Sequence, residues 1–234
     1  MRFPLDDIVI TEGNAEAVKR VTDVMLDHEE PQRLYVYGPE QTGKSTLAMA
    51  RANQKELLST KKPMYCSAAE IMLSITIDTD SAFLDNLALT DVVFIDGFDD
   101  FMGTPDESGP MTCKLLVRER DKENRDTVII GRKPLSEYDL TQLEGALDGF
   151  EELEMPQFDD EGRKEYVRNR AEHYDPEGDH GPKFTDDAVE YLAKDFKGDL
   201  FDLDLAIRFL KVAAELGADV TLDAQAVQEM LSLD

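Results

Sequence analysis

GPEQTGKS, residues 38–45, decides the fold. Its Gly-x-x-x-x-Gly-Lys-Ser spacing is that of a loop that wraps phosphate groups. The surroundings agree: RLYVY at 33–37 reads as a short buried strand, and STLAMARANQ at 45–54 reads as a helix. The loop then opens a helix, where unpaired backbone N–H groups favour anions. ATP or ADP with Mg²⁺ is the expected ligand. Gly38, Pro39, Glu40, Gln41, Thr42, Gly43 and Thr46 belong to the cradle, Lys44 is placed to reach the β and γ oxygens, and the Ser45 hydroxyl to hold the metal.

Strands and helices alternate outward from this loop. PMYCS at 63–67 predicts a strand followed by a helical AAEIMLSI. DVVFID at 91–96 is an apolar run ending in an acid, which suits a central parallel strand whose last residue, Asp96, reaches the site and its Mg²⁺ at the carboxyl edge of the sheet. The loop MGTPDESGP precedes a helix over MTCKLLVRERDKE, TVIIG at 127–131 is the next strand, and ELEM at 152–155 is a shorter one. Five strands alternating with helices predict an α/β core, residues 1–156, with a parallel five-stranded sheet between helices. From residue 157 onward only helices are read: FDDEGRKEYVRNRAEHY, with acids in its first turn, then TDDAVEYLAKDF, LFDLDLAIRFLKVAAEL and LDAQAVQEMLSL, separated by the turn-rich DPEGDHGPKF. Residues 157–234 are therefore expected to form a small helical lid domain.

The 234 residues carry 51 acids against 25 Lys and Arg, a formal charge of −26, with 41% hydrophobic residues. That hydrophobic content supports a packed core. No apolar run has membrane-spanning length and MRFPLDDIVI lacks a signal-peptide pattern, so a cytoplasmic protein is expected. Cys66 and Cys113 form no metal-ligand spacing with the three histidines and read as reduced thiols. So acidic a surface repels phosphate backbones, and direct DNA binding is expected to be weak or absent. One segment runs the other way: Lys114, Arg118, Arg120, Lys122, Arg125, Arg132 and Lys133 cluster together. They read as a helix face balancing its own Glu119, Asp121, Glu123 and Asp126, with nucleic-acid contact as the alternative.

The order of these motifs resembles the AAA+ ATPases, and within them the replication initiators of the DnaA type and their shortened Hda relatives. GPEQTGKS matches Walker A, VVFID matches Walker B, VIIGRKP matches the sensor 1 strand, and FTDDAVEYLAKDFKGDLFDLDLAI matches the lid helices that carry sensor 2. LDDIVITEGNAEAV resembles the family's opening, which implies that Ile8 and Val9 lie against adenine; Asn14 reads as a turn with Gly13. The departures are as telling. Asp96 is followed by Gly97 where the family has a second acid, the sensor 1 position falls on Gly131 or Arg132, LEGALDGF holds no Arg for a finger, and Phe201 stands at the sensor 2 position. An absent arginine finger alone costs on the order of a thousandfold in rate. Asp99 and Asp100 are candidates for a displaced catalytic acid or for capping the next loop, Arg132 for a phosphate sensor or an exposed cation, and Lys197 for a substitute sensor 2.

The resemblance implies a nucleotide-binding regulator or loader-type accessory in replication initiation, with weak or absent hydrolysis and with an initiator, helicase or clamp as partner. A homo-oligomer is left open. The family's initiators continue into a helix-turn-helix domain, which is not expected here, and MRFPLDD contains no Gln-Leu-rich clamp-docking peptide of the Hda kind. Two other readings stand beside this one: an acidic pseudo-ATPase that occupies a basic surface of a replication partner, and a P-loop kinase acting on a small molecule.

Overall fold

The structure, a computed structural model, describes residues 8–53, 61–77, 82–173, 183–197, 200–215 and 221–232. Its contacts divide the chain into two compact units, one of residues 13–156 and one of residues 157–234 joined by 8–12. In chain order the first unit runs α1 (Ala15–Asp23), β1 (Arg33–Tyr37), α2 (Lys44–Asn53), β2 (Pro63–Ser67), α3 (Ala68–Ile77), α4 (Ala82–Leu89), β3 (Val92–Asp96), α5 (Phe98–Met102), α6 (Ser108–Lys122), β4 (Asp126–Ile130) and β5 (Glu151–Glu154). The expected five-stranded sheet is present, entirely parallel, in the order β2-β3-β4-β1-β5. β4 therefore lies between β1 and β3, so the phosphate-type loop, Gly131 and Asp96 leave neighbouring strands at one edge of the sheet.

Period-two alternation explains why a parallel sheet forms from such short runs: both faces are covered, so both sets of side chains are apolar. Tyr35, Val93, Ile95 and Ile129 join Ile71, Leu87, Phe98, Phe101, Cys113, Leu116 and Val117 in one core. The alternate residues Leu34, Val36, Val92, Phe94, Val128 and Ile130 are equally buried, as are Val18, Val21, Leu47 and Ala48 of α1 and α2. Each fully buried large side chain of this set contributes about 1.5–3 kcal/mol.

The start of α6 differs from the expectation, and α4 and α5 lie where no element was read. α4 packs on α6 and buries Leu87 completely. α6 begins at Ser108 instead of after Pro110, because Pro110 is only its third residue, where no intrahelical N–H bond is required, and the first bond runs from the Met111 N–H to the Glu107 carbonyl. Gly109 lets that first turn pass close to α5, since a Cβ there would lie 2.2 Å from the Phe101 carbonyl oxygen. Residues 98–102 form the short helix α5, which ends where the expected loop MGTPDESGP begins.

The second unit comprises α7 (Asp160–His173), β6 (Lys183–Phe184), α8 (Asp186–Glu190), a π-helical turn over Tyr191–Asp195, α9 (Leu200–Glu215), β7 (Thr221–Leu222) and α10 (Ala224–Leu231). It is not purely helical: β6 and β7 pair in parallel, Phe184 against Leu222. Two-residue strands carry no readable alternation, which is why they escape a periodicity reading. Its apolar cluster gathers Val167, Leu192, Leu203, Ile207, Leu210, Leu222 and Val227, together with Val9 from the start of the chain. Asp223 caps α10, its carboxylate accepting from the Ala226 N–H at 2.8 Å. The first seven residues, most of DPEGDHGPKF, the pair Gly198 and Asp199, and the side chain of Phe201 lie outside the described residues. None of the described helices is long and apolar enough to cross a membrane.

A buried arginine joins α6 to the sheet. Arg120 is fully buried, and its guanidinium donates to the Thr127 hydroxyl at 2.9 Å, the Thr90 carbonyl at 3.1 Å, and the Leu87 and Asp126 carbonyls. It thereby satisfies the chain where α4 runs into β3 and where β4 begins. Replacing Arg120 by Met keeps the volume and strands these acceptors, so a loss of about 3 kcal/mol or more is expected. The urea midpoint of folded Arg120→Met against wild type measures it.

Candidate functional site

The loop after β1 is shaped by two glycines and one residue in left-handed backbone. At Gly38 a Cβ would sit 2.1 Å from the Met155 carbonyl oxygen, because the chain leaving β5 crosses there and its Met155 N–H bonds to the Tyr37 carbonyl at 2.7 Å. Gln41 has φ 64° and Gly43 φ 88°, and a Cβ on Gly43 would meet nothing within 4 Å. The loop thus turns into the first residues of α2 with its open side towards a cavity of about 260 Å³, lined by residues 40–46, Asp96, Gly97, Asp99, Ile130, Gly131 and Arg132.

Lys44 is the most informative side chain of this cavity. It is 8% exposed, and its ammonium donates to the Gly38 carbonyl at 2.8 Å, the Pro39 carbonyl at 2.5 Å and the Thr42 hydroxyl at 3.1 Å. These partners are neutral oxygens, and no ion pair seen among the described residues neutralises it. Burial pulls its pKa down, while the nearby carboxylates of Asp96, Asp99 and Glu40 pull it back up. A buried cation beside the start of a helix, without a bonded counter-ion, is built for an anion.

Asp96 ends β3 half-buried, where the sequence places it, and its Oδ2 accepts from the Tyr65 hydroxyl at 2.6 Å. Tyr65 comes from β2, whose register sets Ser67 beside Asp96. No local sequence signal marks Tyr65, since its approach to Asp96 depends on strand pairing. Gly97 is not an acid position stripped of its side chain. It turns the chain into α5 at φ 84°, and a Cβ would stand 2.8 Å from Asp100 Oδ2.

Asp99 is half-buried and lines the cavity, whereas Asp100 is exposed. Both Asp99 oxygens are engaged: Oδ1 accepts from the Tyr138 hydroxyl at 2.6 Å and Oδ2 from the Arg132 N–H at 3.0 Å. Asp99 therefore joins α5 to the segment after β4, instead of capping or solvating its own loop. Burial and the Asp99 bond push the Tyr138 hydroxyl up to about 12, so it stays a donor.

The two residues at the expected sensor 1 position differ in their surroundings. A Cβ on Gly131 would lie 2.0 Å from the Tyr35 hydroxyl, which itself donates to the Lys133 carbonyl at 2.8 Å. Tyr35 packs edge-on against Phe98, with ring centroids 5.4 Å apart, and Phe98 packs edge-on against Tyr138 at 5.0 Å. This aromatic group fills the room a longer side chain at Gly131 would need. Arg132 instead reaches the cavity mouth and pairs with Glu40 at 2.9 Å, both side chains nearly two-thirds exposed.

Ile8 is half-buried, and Val9 is buried in the apolar cluster of the second unit. Lys197 is exposed, and Asn14 is buried just before α1. The Arg-free segment 143–150 supplies Glu144, which pairs with Lys114 at 3.3 Å and Arg118 at 3.4 Å. The rest of the basic segment is also engaged: Arg120 is buried, Lys122 pairs with Glu119, Arg125 with Asp91, and Lys133 lies 4.4 Å over the Tyr138 ring. Among the described residues, only Lys122 pairs with an acid of its own segment, Glu119; Lys114, Arg118, Arg125 and Arg132 pair with acids of other elements, because the fold brings Glu144, Asp91 and Glu40 beside them.

No protein-family profile and no curated protein matches the sequence. Solved structures do match, and they define the class: the chain has the AAA+ fold of the DnaA type. Domain III of the Thermotoga maritima replication initiation protein DnaA superposes with TM-score 0.78 at 18% identity, over 98% of this chain and 95% of that one. AMPPCP-bound DnaA from Aquifex aeolicus follows with 0.76 at 15%, over 92% of this chain and 67% of that one. The Aeropyrum pernix ORC1 protein in complex with DNA gives 0.67 at 17%, over 97% and 66%. The chain thus spans about two thirds of the two longer proteins, and at these identities the likeness is one of fold.

Proposed function

We propose that this chain binds ATP or ADP with Mg²⁺ in the cavity around Lys44, hydrolyses ATP slowly or not at all, and acts as a nucleotide-dependent regulator or loader-type accessory in replication initiation through an initiator, helicase or clamp. The observation that carries nucleotide binding is Lys44, a buried ammonium held only by neutral oxygens at the start of α2. The donor set fits the ligand: loop N–H groups and Lys44 for the phosphates, with the Ser45 hydroxyl and Asp96 for the metal. A structure of the same fold holds AMPPCP. Bound Mg²⁺ would supply charge neutralisation for the phosphates, and Ser45 and Asp96 are the residues that would hold it. The adenine contact of Ile8 and Val9 belongs to the same proposal.

Weak hydrolysis follows from what surrounds Asp96. The next position is a left-handed glycine, Asp99 has both oxygens hydrogen-bonded, and residues 143–150 include no arginine. Phosphoryl transfer depends on positioned charge more than on covalent chemistry, so these gaps fall on the step itself.

Action through proteins, with DNA contact weak or absent, is supported by charge. The chain carries −26, residues 68–89 contain no Lys or Arg, and the cations of the 114–133 segment have acidic or aromatic partners or are buried. The same observations favour, as a second reading, an acidic protein that occupies a basic surface of its partner.

Three measurements test this reading. Lys44→Ala on folded protein is expected to weaken ATP and ADP binding at least about tenfold by calorimetry, the scale of a lost charged hydrogen bond; unchanged affinity rejects the site. ATP turnover is expected well below about 1 s⁻¹, and Gly97→Glu is expected not to raise it, because the added side chain enters strained backbone instead of an acid's vacated place. Single- and double-stranded DNA should bind negligibly at physiological salt. Salt-sensitive binding abolished by Arg118→Glu with Lys122→Glu, both exposed positions, would overturn the protein-only route.

A further inference from the structure

Asp96 lines the cavity at the end of β3, and its carboxylate is held from the neighbouring strand. Oδ2 accepts from the hydroxyl of Tyr65, which stands on β2 at the end of the sheet. The β2–β3 register sets Tyr65 beside Phe94 and Ser67 beside Asp96. Side chains alternate along a strand, so Tyr65 and Asp96 emerge on one face of the sheet, two positions apart, and the length of a tyrosine lets its hydroxyl cover that diagonal. The bond is not needed to keep β2 in the sheet, because β2 already pairs with β3 from Pro63 beside Val92 to Ser67 beside Asp96. Burial and the Asp96 bond push the Tyr65 pKa up, so the hydroxyl stays a donor. With Oδ2 taken up by that donor, Oδ1 is left to serve the cavity. A carboxylate that holds a cation depends on an outer partner of this kind to fix its orientation.

We propose that Tyr65 is a positioning residue for the metal of the nucleotide site, orienting the Asp96 carboxylate through their 2.6 Å hydrogen bond. The proposal rests on the nucleotide-binding reading above and adds a residue from a different strand to it. Tyr65 acts only through Asp96, so its effect is confined to the part of the affinity that depends on the metal. The phosphate contacts of Lys44 and the loop come from β1 and α2 and do not need it. Tyr65 is neutral, so deleting its hydroxyl leaves the charge around the phosphates unchanged. What is lost is the hold on one carboxylate.

Calorimetric affinity for ATP, measured with excess Mg²⁺ and again in EDTA, tests this on the full chain as wild type, Tyr65→Phe, Asp96→Asn and the double variant. Tyr65→Phe keeps the ring, and its urea midpoint reports separately on stability. It is expected to weaken Mg-ATP about tenfold, the low end for loss of an outer partner of a metal ligand, and to change metal-free ATP less than about twofold. Asp96→Asn should remove most of the gain that Mg²⁺ gives, and in its background Tyr65→Phe should cost nothing further, because Tyr65 acts through Asp96. Equal losses with and without metal, or a Tyr65→Phe effect that persists in Asp96→Asn, overturn the positioning role. So do an unchanged Mg-ATP affinity in Tyr65→Phe and a wild type indifferent to Mg²⁺. If wild type binds ATP in neither condition, the nucleotide-binding reading falls as well. If binding is lost in Lys44→Ala but indifferent to Tyr65→Phe, the site stands and only the role of Tyr65 is rejected.

Discussion

The two hydrogen bonds to the Asp99 carboxylate, from the Tyr138 hydroxyl and from the Arg132 N–H, are the constraint on which the cavity depends. They join α5, after β3, to two points of the segment that follows β4, more than thirty residues away in sequence. Once α5 is held there, Phe98 sits between Tyr35 and Tyr138, and Tyr35 reaches under Gly131 to the Lys133 carbonyl. Arg132 is left with one direction, outward over the mouth towards Glu40. Both Asp99 oxygens are thereby committed to the frame of the cavity.

Much of this fold was legible because its signals are local. β1, β2, β3 and β4 are five-residue runs whose apolar character comes from burial on both faces, and Gly38, Gly43 and Lys44 mark the loop by spacing alone. What escaped the sequence reading is what depends on partners. Tyr65 meets Asp96 only through the β2–β3 register, and Tyr138 lies 39 residues from Asp99. Nor does a sequence motif distinguish Gly131 as a missing sensor from Gly131 as the space that Tyr35 occupies. The geometry makes it the second. No element was read over AFLDNLAL, a helix of eight residues that carries too few turns for a clear helical period and is held by its packing on α6.

Gly97 and Gly131 show why a degenerate motif is more than a list of lost side chains. At Gly131 the buried Tyr35 ring takes up the volume a side chain would need, and at Gly97 the left-handed backbone strains any residue with a Cβ. The phosphate-type loop has separate supports: Gly38 lies against the Met155 carbonyl, and the Lys44 ammonium bonds to the Gly38 and Pro39 carbonyls.

Charge follows the same logic of local engagement within a strongly acidic whole. Arg33, Lys114, Arg118 and Arg125 make ion pairs with acids from other elements, so several cations serve to hold the first unit together and are not spare for a polyanion. The surplus acid stays on the surface and repels polyanions from a distance, more strongly as salt falls. At the cavity Lys44 and Arg132 stand among the carboxylates of Glu40, Asp96 and Asp99, so positive charge is concentrated there at short range within an acidic whole. A small anion in such a place meets local cations directly, whereas a long polyanion meets the net charge along its whole length.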